Sequence, residues 1–343
     1  MSPTGAPERV LVTGAGGFIG SHLAADQHVR GRRVVALDLD PGRVAHLERA
    51  GRFEIGRGDF TDPKVVRGAL SGVDTVFHLA AAHLGSRAGE AEYRRVNVEG
   101  VRDLVHAARE AGVRRFVHCS TVGVHGRLKD PPADEDSPCH PELAYEKTKL
   151  AGEAVVKAAI RDHGFPAVIL RPVWVYGPGC PRTDKLFRSV RKGLFPLAGR
   201  GEALRHCIYI RDMLEAFDRA AEAPEAVGEV IIVGDEQPAT LRSLVEEIAG
   251  LVGSRPPRSV PLPALRVAAG LSELAFRLLG KEPPISRRSI KFYTNNTAFD
   301  ISKARRLLDW SPRYDLRTGL AETWRFVASP APWRVPLSDP AAA

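Results

Sequence analysis

Cysteine is scarce in this chain. Cys119, Cys139, Cys180 and Cys207 are the only four in 343 residues, and no two form a Cys-x-x-Cys pair. That spacing excludes a zinc ribbon and a disulfide framework, and it fits a reducing cytoplasm. Long apolar runs are also missing, so no segment is expected to span a bilayer. The first residues, Met-Ser-Pro-Thr-Gly-Ala-Pro-Glu, lack a basic stretch followed by an apolar one, and no signal peptide is expected. No Gly-x-Ser-x-Gly elbow occurs, which argues against a serine hydrolase. His78, His83 and His118 lack the spacing of metal ligands, so no metal site is expected. His78 and His118 fall in strand patterns and read as core or strand-edge residues. Like charges are not blocked together either. The net charge of +8 comes from arginines dispersed among acids, without a zinc-finger or RNP signature, so nucleic acid is not the expected partner. Such a field suits a phosphate-bearing small molecule.

What is present is an ordinary globular composition, with 44% apolar and 26% charged residues, enough to build a core without covalent staples. The first half alternates β-branched runs with helical periodicity, the pattern of a parallel sheet covered on both faces. Strands are expected at Arg9–Thr13, Arg33–Asp38, Phe53–Gly58, Thr75–Leu79, Arg115–Ser120 and Ala167–Arg171. Helices are expected at Gly20–Arg30, Asn97–Ala111 and Ala144–Asp162, with Gly31 and Gly112 as C-terminal caps. After Arg171 prolines break the rhythm. A helix over Lys185–Lys192, a returning strand at Glu229–Val233 and Pro-jointed helices from Thr240 follow. The expected fold is α/β: a Rossmann-type doubly wound parallel sheet with a smaller, mostly helical C-terminal substrate lobe. Residues 7–175, completed by the strand near 229–233, form the dinucleotide domain, and 176–228 with 234–328 form the lobe. Residues 1–6 and 329–343 are expected to be poorly ordered tails. Leu262–Leu279 carries Arg266, Glu273 and Arg277 at intervals and reads as an amphipathic core or lid helix, with membrane-surface contact as a second option.

Gly14, Gly17 and Gly20 stand between a strand and a helix, where glycines let a pyrophosphate approach the backbone at a helix N-terminus. A tight turn without a ligand is the plain alternative. Asp38 ends the second strand at the position of an acid that meets adenosine ribose hydroxyls and repels a 2′-phosphate. NAD is therefore expected over NADP, although Arg43 lies close. Asp59 ends the third strand and could reach an adenine amino group or serve only as a turn residue. Tyr145 and Lys149 lie four residues apart on one helix face. An ammonium beside a phenol favours the phenolate, so the pair can move a proton. Ser120 and Thr121 end the fifth strand, on the edge where open α/β sheets bind ligands, and could hydrogen-bond a reacting oxygen. Turn, strand-end hydroxyls and helix pair, in that order, point to hydride transfer at an alcohol or ketone.

Together these residues resemble the extended short-chain dehydrogenase/reductase family over nearly the whole chain. The resemblance assigns Gly14, Gly17, Phe18, Ile19 and Gly20 to the cofactor turn, Asp59 and Phe60 to the adenine contact, and Leu79, Ala80 and Ala81 to the fourth-strand segment. It makes Asn97 the helix asparagine that supports the lysine through water. Pro172 and Val173 flank nicotinamide, and Tyr145 with Lys149 form the catalytic pair. Aligning Val124-His125-Gly126 with the family's Val-Tyr-Gly puts Thr121, rather than Ser120, at the catalytic hydroxyl. His83, Ser120, Thr121, Trp174 and Arg205 fall on the substrate side.

Substrate signals are mixed. Nucleotide-sugar enzymes carry an Asn at the position of Trp174, yet Arg205 matches their diphosphate arginine. The run from Glu282 to Ala304 resembles instead the 3β-hydroxysteroid dehydrogenase and ketoreductase branch. The leading expectation is a dehydrogenase/ketoreductase. A nucleotide-sugar epimerase or dehydratase with bound NAD is the alternative, and a non-catalytic NAD sensor is disfavoured by the intact Thr, Tyr and Lys. A homodimer through the helices of Asn97–Ala111 and Tyr145–Asp162 is what the resemblance implies.

Overall fold

Apolar residues alternate toward two faces in the central strands, and both faces are covered. The computed structural model describes residues 7–83, 89–278 and 287–329. Seven strands form one parallel sheet: β1 (Arg9–Thr13), β2 (Arg33–Asp38), β3 (Phe53–Arg57), β4 (Thr75–His78), β5 (Arg115–Cys119), β6 (Ala167–Pro172) and, after the short β7 (Trp174–Tyr176), β8 (Leu197–Ala198), β9 (Leu204–Arg205) and β10 (Cys207–Tyr209), the edge strand β11 (Val230–Val233). Their spatial order is β11-β6-β5-β4-β1-β2-β3. The order reverses beside β1, whose Thr13 is in register with Leu37 of β2 and with His78 of β4. At such a reversal the connecting helices go to opposite faces and leave a crevice at the carboxyl ends of the strands.

Val10, Val12, Phe77, Val117, Val168 and Leu170 pack on one face, with α1 (Phe18–Val29) and, farther along the chain, the helix Ile210–Glu222. Leu11, Val76, Phe116, Ala167 and Ile169 pack on the other. There they meet α2 (Pro63–Ala69), α4 (Gly100–Glu110) and α5 (Ala144–His163), with α3 (Glu90–Arg94) leading into α4 through a π-turn at Arg95–Glu99. Gly31 and Gly112 have left-handed φ of 83° and 72°, as caps there require. Three strands end one residue earlier than expected and β6 runs one residue further. The amides of Gly58, Leu79 and Ser120 still bond to Asp38, Thr13 and Leu170, so the ladders themselves continue. The edge strand β11 is shielded by Glu135, whose Oε1 accepts the Ile232 N–H at 2.7 Å.

The remaining elements are α6 (Pro181–Arg191), α7 (the helix Ile210–Glu222), β12 (Ala239–Thr240), α8 (Leu241–Val252), β13 (Ser259–Val260), α9 (Leu262–Leu278), α10 (Arg287–Thr294), α11 (Ser302–Leu308) and α12 (Leu316–Val327). Small pairings tie the segments that follow β6 together, β7 with β10, β9 with β12 and β8 with β13. In α9, Leu265 and Ala269 are buried while Val267 and Leu271 are exposed. Leu279, residues 1–6 and all of the C-terminal tail except Ser329 lie outside the described residues. Among the described residues no helix is long and apolar enough to cross a membrane, and no cluster of potential metal ligands occurs.

Candidate active site

The turn after β1 works only with glycine. Gly14 has φ +74°, and a Cβ there would meet the backbone of Ala80 at 2.7 Å; one on Gly20 would lie 2.1 Å from the Gly14 carbonyl. Strand, turn and helix are thus clamped together. Gly17 differs: it is exposed, and its only near neighbour is the Gly14 carbonyl. It is also the N-cap of α1, with no side chain capping the helix, so the first amides of α1, from Phe18 and Ile19, face the crevice without a side-chain acceptor. An anion fits that position, where the helix dipole is positive. These residues fit a dinucleotide pyrophosphate.

Asp38 closes the turn from the side, its Oδ2 accepting the Gly16 N–H and its Oδ1 the Asp40 N–H, each at 2.9 Å. Arg43 donates to the Gly179 carbonyl at 3.2 Å. Asp59 accepts the Thr61 N–H at 2.9 Å and faces the Arg95 guanidinium at 3.3 Å. Burial alone would push its carboxyl up, but the Thr61 bonds and Arg95 outweigh it and hold the pKa low. The Phe60 ring is buried against His78, so only its backbone is available at the crevice. Leu79, Ala80 and Ala81 line the opposite wall and are partly exposed. Leu79 and Ala80 are fixed by their amides to the Thr13 hydroxyl, at 3.2 and 3.3 Å.

α5 begins where it does because Glu146 reaches back to accept the N–H of Leu143 and of Glu142, each at 3.0 Å. This sets Tyr145 in the first turn, partly exposed, and Lys149 one turn deeper, 3% exposed. Lys149 Nζ donates to the Cys119 carbonyl at 2.6 Å. Burial lowers the Lys149 pKa, opposed by the Cys119 thiol and Glu153. Burial also drives the Tyr145 phenol above its ordinary value, helped by Cys119 and Glu146 and opposed by Arg182. The expected pull of Lys149 on the phenol is therefore not what dominates here: desolvation does, and the ammonium is turned to the strand end.

Thr121 and Ser120 part company in the structure. Thr121 Oγ1 accepts the Gly123 N–H at 3.1 Å and stays partly exposed at the crevice, free to donate. The Ser120 hydroxyl is instead buried and donates to Glu153 Oε1 at 2.5 Å. That hydroxyl is engaged with the Glu153 carboxylate. Glu153 also holds Arg171 through both oxygens, at 2.9 and 2.7 Å, and Arg171 contacts His125 Nε2 at 3.1 Å. All four side chains are buried. Sequence reasoning missed this network. Its only signal is an acid one turn beyond Lys149 on an otherwise sheet-facing stripe.

Asn97 lies in the π-turn. It accepts the Ala82 N–H at 2.9 Å and donates to the Ala82 carbonyl and the Thr148 hydroxyl, each at 3.1 Å. It therefore ties the β4 loop directly to the residue preceding Lys149, rather than meeting Lys149 itself. A Cβ on Gly152 would come within 2.5 Å of the Asn97 carbonyl, which is why the two helices can lie so close.

Pro172 and Val173 are buried at the end of β6. Beyond them stand Trp174, in β7, and the buried Arg205, in β9 opposite Ala239 of β12. Arg205 donates to the Leu204 and Asn295 carbonyls at 2.9 and 2.6 Å, and its guanidinium carbon lies 4.7 Å from the Phe292 ring centre. It makes no ion pair with any described residue, so the structural salt bridge that a non-phosphate substrate would have left it is not found. His83 is exposed at the rim, its carbonyl accepting from Tyr93 Oη at 3.1 Å.

The sequence pattern of the NAD dependent epimerase/dehydratase family matches residues 10–234, from β1 through β11. The chain belongs to that family. A family member from Mycobacterium tuberculosis, 3 beta-hydroxysteroid dehydrogenase/Delta 5-->4-isomerase, is 32% identical over 94% of this chain and 90% of its own. UDP-glucose 4-epimerase of Mycolicibacterium smegmatis is also 32% identical, over 93% of this chain and 98% of its own. The crystal structure of UDP-glucuronic acid 4-epimerase from Bacillus cereus with NAD superposes with a TM-score of 0.76 at 27% identity, covering 93% and 96% of the two chains. This epimerase/dehydratase member is thus an NAD-type enzyme of the extended short-chain dehydrogenase/reductase kind.

Proposed function

We propose that the protein is an NAD-dependent dehydrogenase/ketoreductase acting on a secondary alcohol or ketone, with Thr121, Tyr145 and Lys149 as its reacting set. What supports this reading is that Thr121 follows directly on β5, while Tyr145 and Lys149 lie one turn apart at the start of α5 and Lys149 donates to the Cys119 carbonyl at that same strand end. The Phe18 and Ile19 amides would hold the pyrophosphate, and Asp38 the adenosine ribose. Lys149 would hold the nicotinamide ribose, with Pro172 and Val173 against the ring. NAD, when bound, accepts or supplies the hydride. Tyr145 takes the proton of the alcohol or returns it to the ketone, and the Thr121 hydroxyl orients the reacting oxygen. A positive nicotinamide charge next to Tyr145 favours the phenolate that burial alone disfavours. NAD is the cofactor this reading favours, because the Asp38 carboxylate at the end of β2 would repel a 2′-phosphate.

The test is hydride transfer from a panel of alicyclic and long-chain secondary alcohols to NAD, with Tyr145→Phe as control. An inactive wild type on every alcohol, together with bound NAD surviving purification, favours the second reading. That reading is a nucleotide-sugar epimerase, supported by the likeness to the Bacillus cereus and Mycolicibacterium smegmatis enzymes. We also propose a homodimer. The groove between α4 and α5, about 610 Å³ and lined by Val98, Arg102, Val105, Ala151 and Val155, is where a second copy would pack its own pair of helices.

A further inference from the structure

Arg205 is buried and positively charged, and only one of its three nitrogens is satisfied. Nη1 donates to two carbonyls, those of Leu204 and Asn295. Nε and Nη2 have no partner among the described residues, although both are buried. The nearby Trp174 has the same defect: its Nε1–H is buried and unpartnered. Buried donors in native proteins are nearly always satisfied, so three orphaned in one neighbourhood need an explanation.

The neighbourhood is tightly defined. Phe292 stacks under the Arg205 guanidinium at 4.7 Å and meets the Trp174 ring edge-on at 5.9 Å, and the guanidinium of Arg182 sits 5.2 Å from the Trp174 ring centre. The positive charge of Arg182 is felt at both the Arg205 guanidinium and the Tyr145 phenol. Burial lowers the Arg205 pKa to about 10, with Arg182 adding to the effect, and at neutral pH the group is still a cation. The site is therefore apolar and cationic at once.

We propose that this cluster binds the carboxylate of the substrate, which is an apolar secondary alcohol or ketone carrying an acid group close to the reacting carbon. Nε–H and Nη2–H form one edge of the guanidinium and match the two oxygens of a single carboxylate. Trp174 Nε1 supplies a third donor, and the faces of Trp174 and Phe292 accept the hydrocarbon next to it. A diphosphate fits less well: it presents two anionic centres, whereas this arrangement has one free guanidinium edge walled by aromatic rings. Because Trp174 directly follows the Pro172–Val173 segment assigned to nicotinamide, the alcohol carbon and the carboxylate belong near one another, as in a 3-hydroxy acid. The assignment rests on the dehydrogenase reading for its reacting carbon, but the anion site stands on its own geometry.

The experiment uses the full chain loaded with NAD. The acid 3-hydroxydodecanoate should be oxidised with a kcat/KM at least roughly tenfold above that of its methyl ester. Arg205→Met should abolish that preference, and Arg205→Lys, which keeps the charge but not the two-toothed edge, should restore only part of it. Should Arg205→Met fail to fold, Arg182→Gln, at an exposed position, should reduce the preference several-fold. Dodecanoate, which cannot react, reads the anion site alone and should raise the melting temperature of wild type but not of Arg205→Met. If dodecanoate stabilises the protein while no alcohol is oxidised, the anion site holds and the dehydrogenase reading falls. Equal rates for acid and ester, or stabilisation by UDP but not by dodecanoate, would overturn the proposal.

Discussion

The Ser120 hydroxyl donates to Glu153 across 2.5 Å, and the same carboxylate clasps Arg171 through both oxygens. Two adjacent hydroxyls at a strand end are thereby given different tasks: one is locked beneath the sheet edge and the other faces the crevice. Thr121→Ala should therefore reduce turnover about 10²-fold, as losing one oriented donor does. Ser120→Ala should leave turnover within a few-fold and lower the melting temperature instead. Glu153→Gln should be the costliest of the set, about 3–5 kcal/mol, because it leaves Arg171 as an uncompensated buried charge. Urea unfolding together with steady-state rates separates these outcomes, and a rate loss in Ser120→Ala equal to that of Thr121→Ala would contradict the division of roles.

Tyr145→Phe keeps the ring and deletes the proton. Turnover should drop ~10²–10⁴-fold while the NAD dissociation constant, measured by calorimetry, stays near that of wild type. Lys149→Met should weaken both, since Lys149, bonded to the Cys119 carbonyl at the end of β5, is the residue assigned to the nicotinamide ribose. A Tyr145→Phe protein with nearly full activity would remove Tyr145 from the mechanism.

Cofactor choice should rest on Asp38. NAD should bind more tightly than NADP, and Asp38→Ala should narrow the ratio of the two dissociation constants by roughly tenfold or more. The part of the effect that comes through the turn, where Asp38 holds the Gly16 amide, appears as weaker binding of both cofactors. Tighter NADP binding by wild type would mean that a cation other than Arg43, which reaches Gly179, dominates the site.

Asp235 gives the fold a pH dependence. Burial, then the neighbouring Asp212 carboxylate, raises its pKa to about 8, with the Tyr209 backbone opposing. In the unfolded chain it titrates near pH 4. Below that both states hold the proton and nothing is lost. Above it the unfolded chain releases a proton that the folded one retains, so stability falls as pH rises toward 8, by up to about 1.4 kcal/mol per pH unit. Asp235→Asn should flatten this slope in melting curves between pH 5 and 8. An unchanged slope would show that Asp235 is ionised in the fold.

If a second copy covers the α4–α5 groove, Ala154→Glu should shift light scattering from dimer to monomer without unfolding the chain, since Ala154 is exposed in the single copy and lines the groove. A wild type that is already monomeric at micromolar concentration would refute the assignment.

The strands of the sheet, the glycine turn and the Tyr145–Lys149 spacing were all readable from the residues. The reason is that each rests on short-range rules: alternation along a strand, steric freedom at Gly14 and Gly20, and one helical turn between i and i+4. The acid at the end of β2 was legible for the same reason. What the chain alone left open were choices between neighbours and meetings across distance. Ser120 and Thr121 are chemically alike and adjacent; only the position of Glu153, 33 residues on, shows which hydroxyl is occupied. Arg205 could have been a phosphate ligand or half of a salt bridge, and only the tertiary structure shows it buried with no carboxylate partner among the described residues. Charge and hydrogen-bond satisfaction are decided by whatever the fold brings within about 3 Å, and periodicity along the chain carries no information about that.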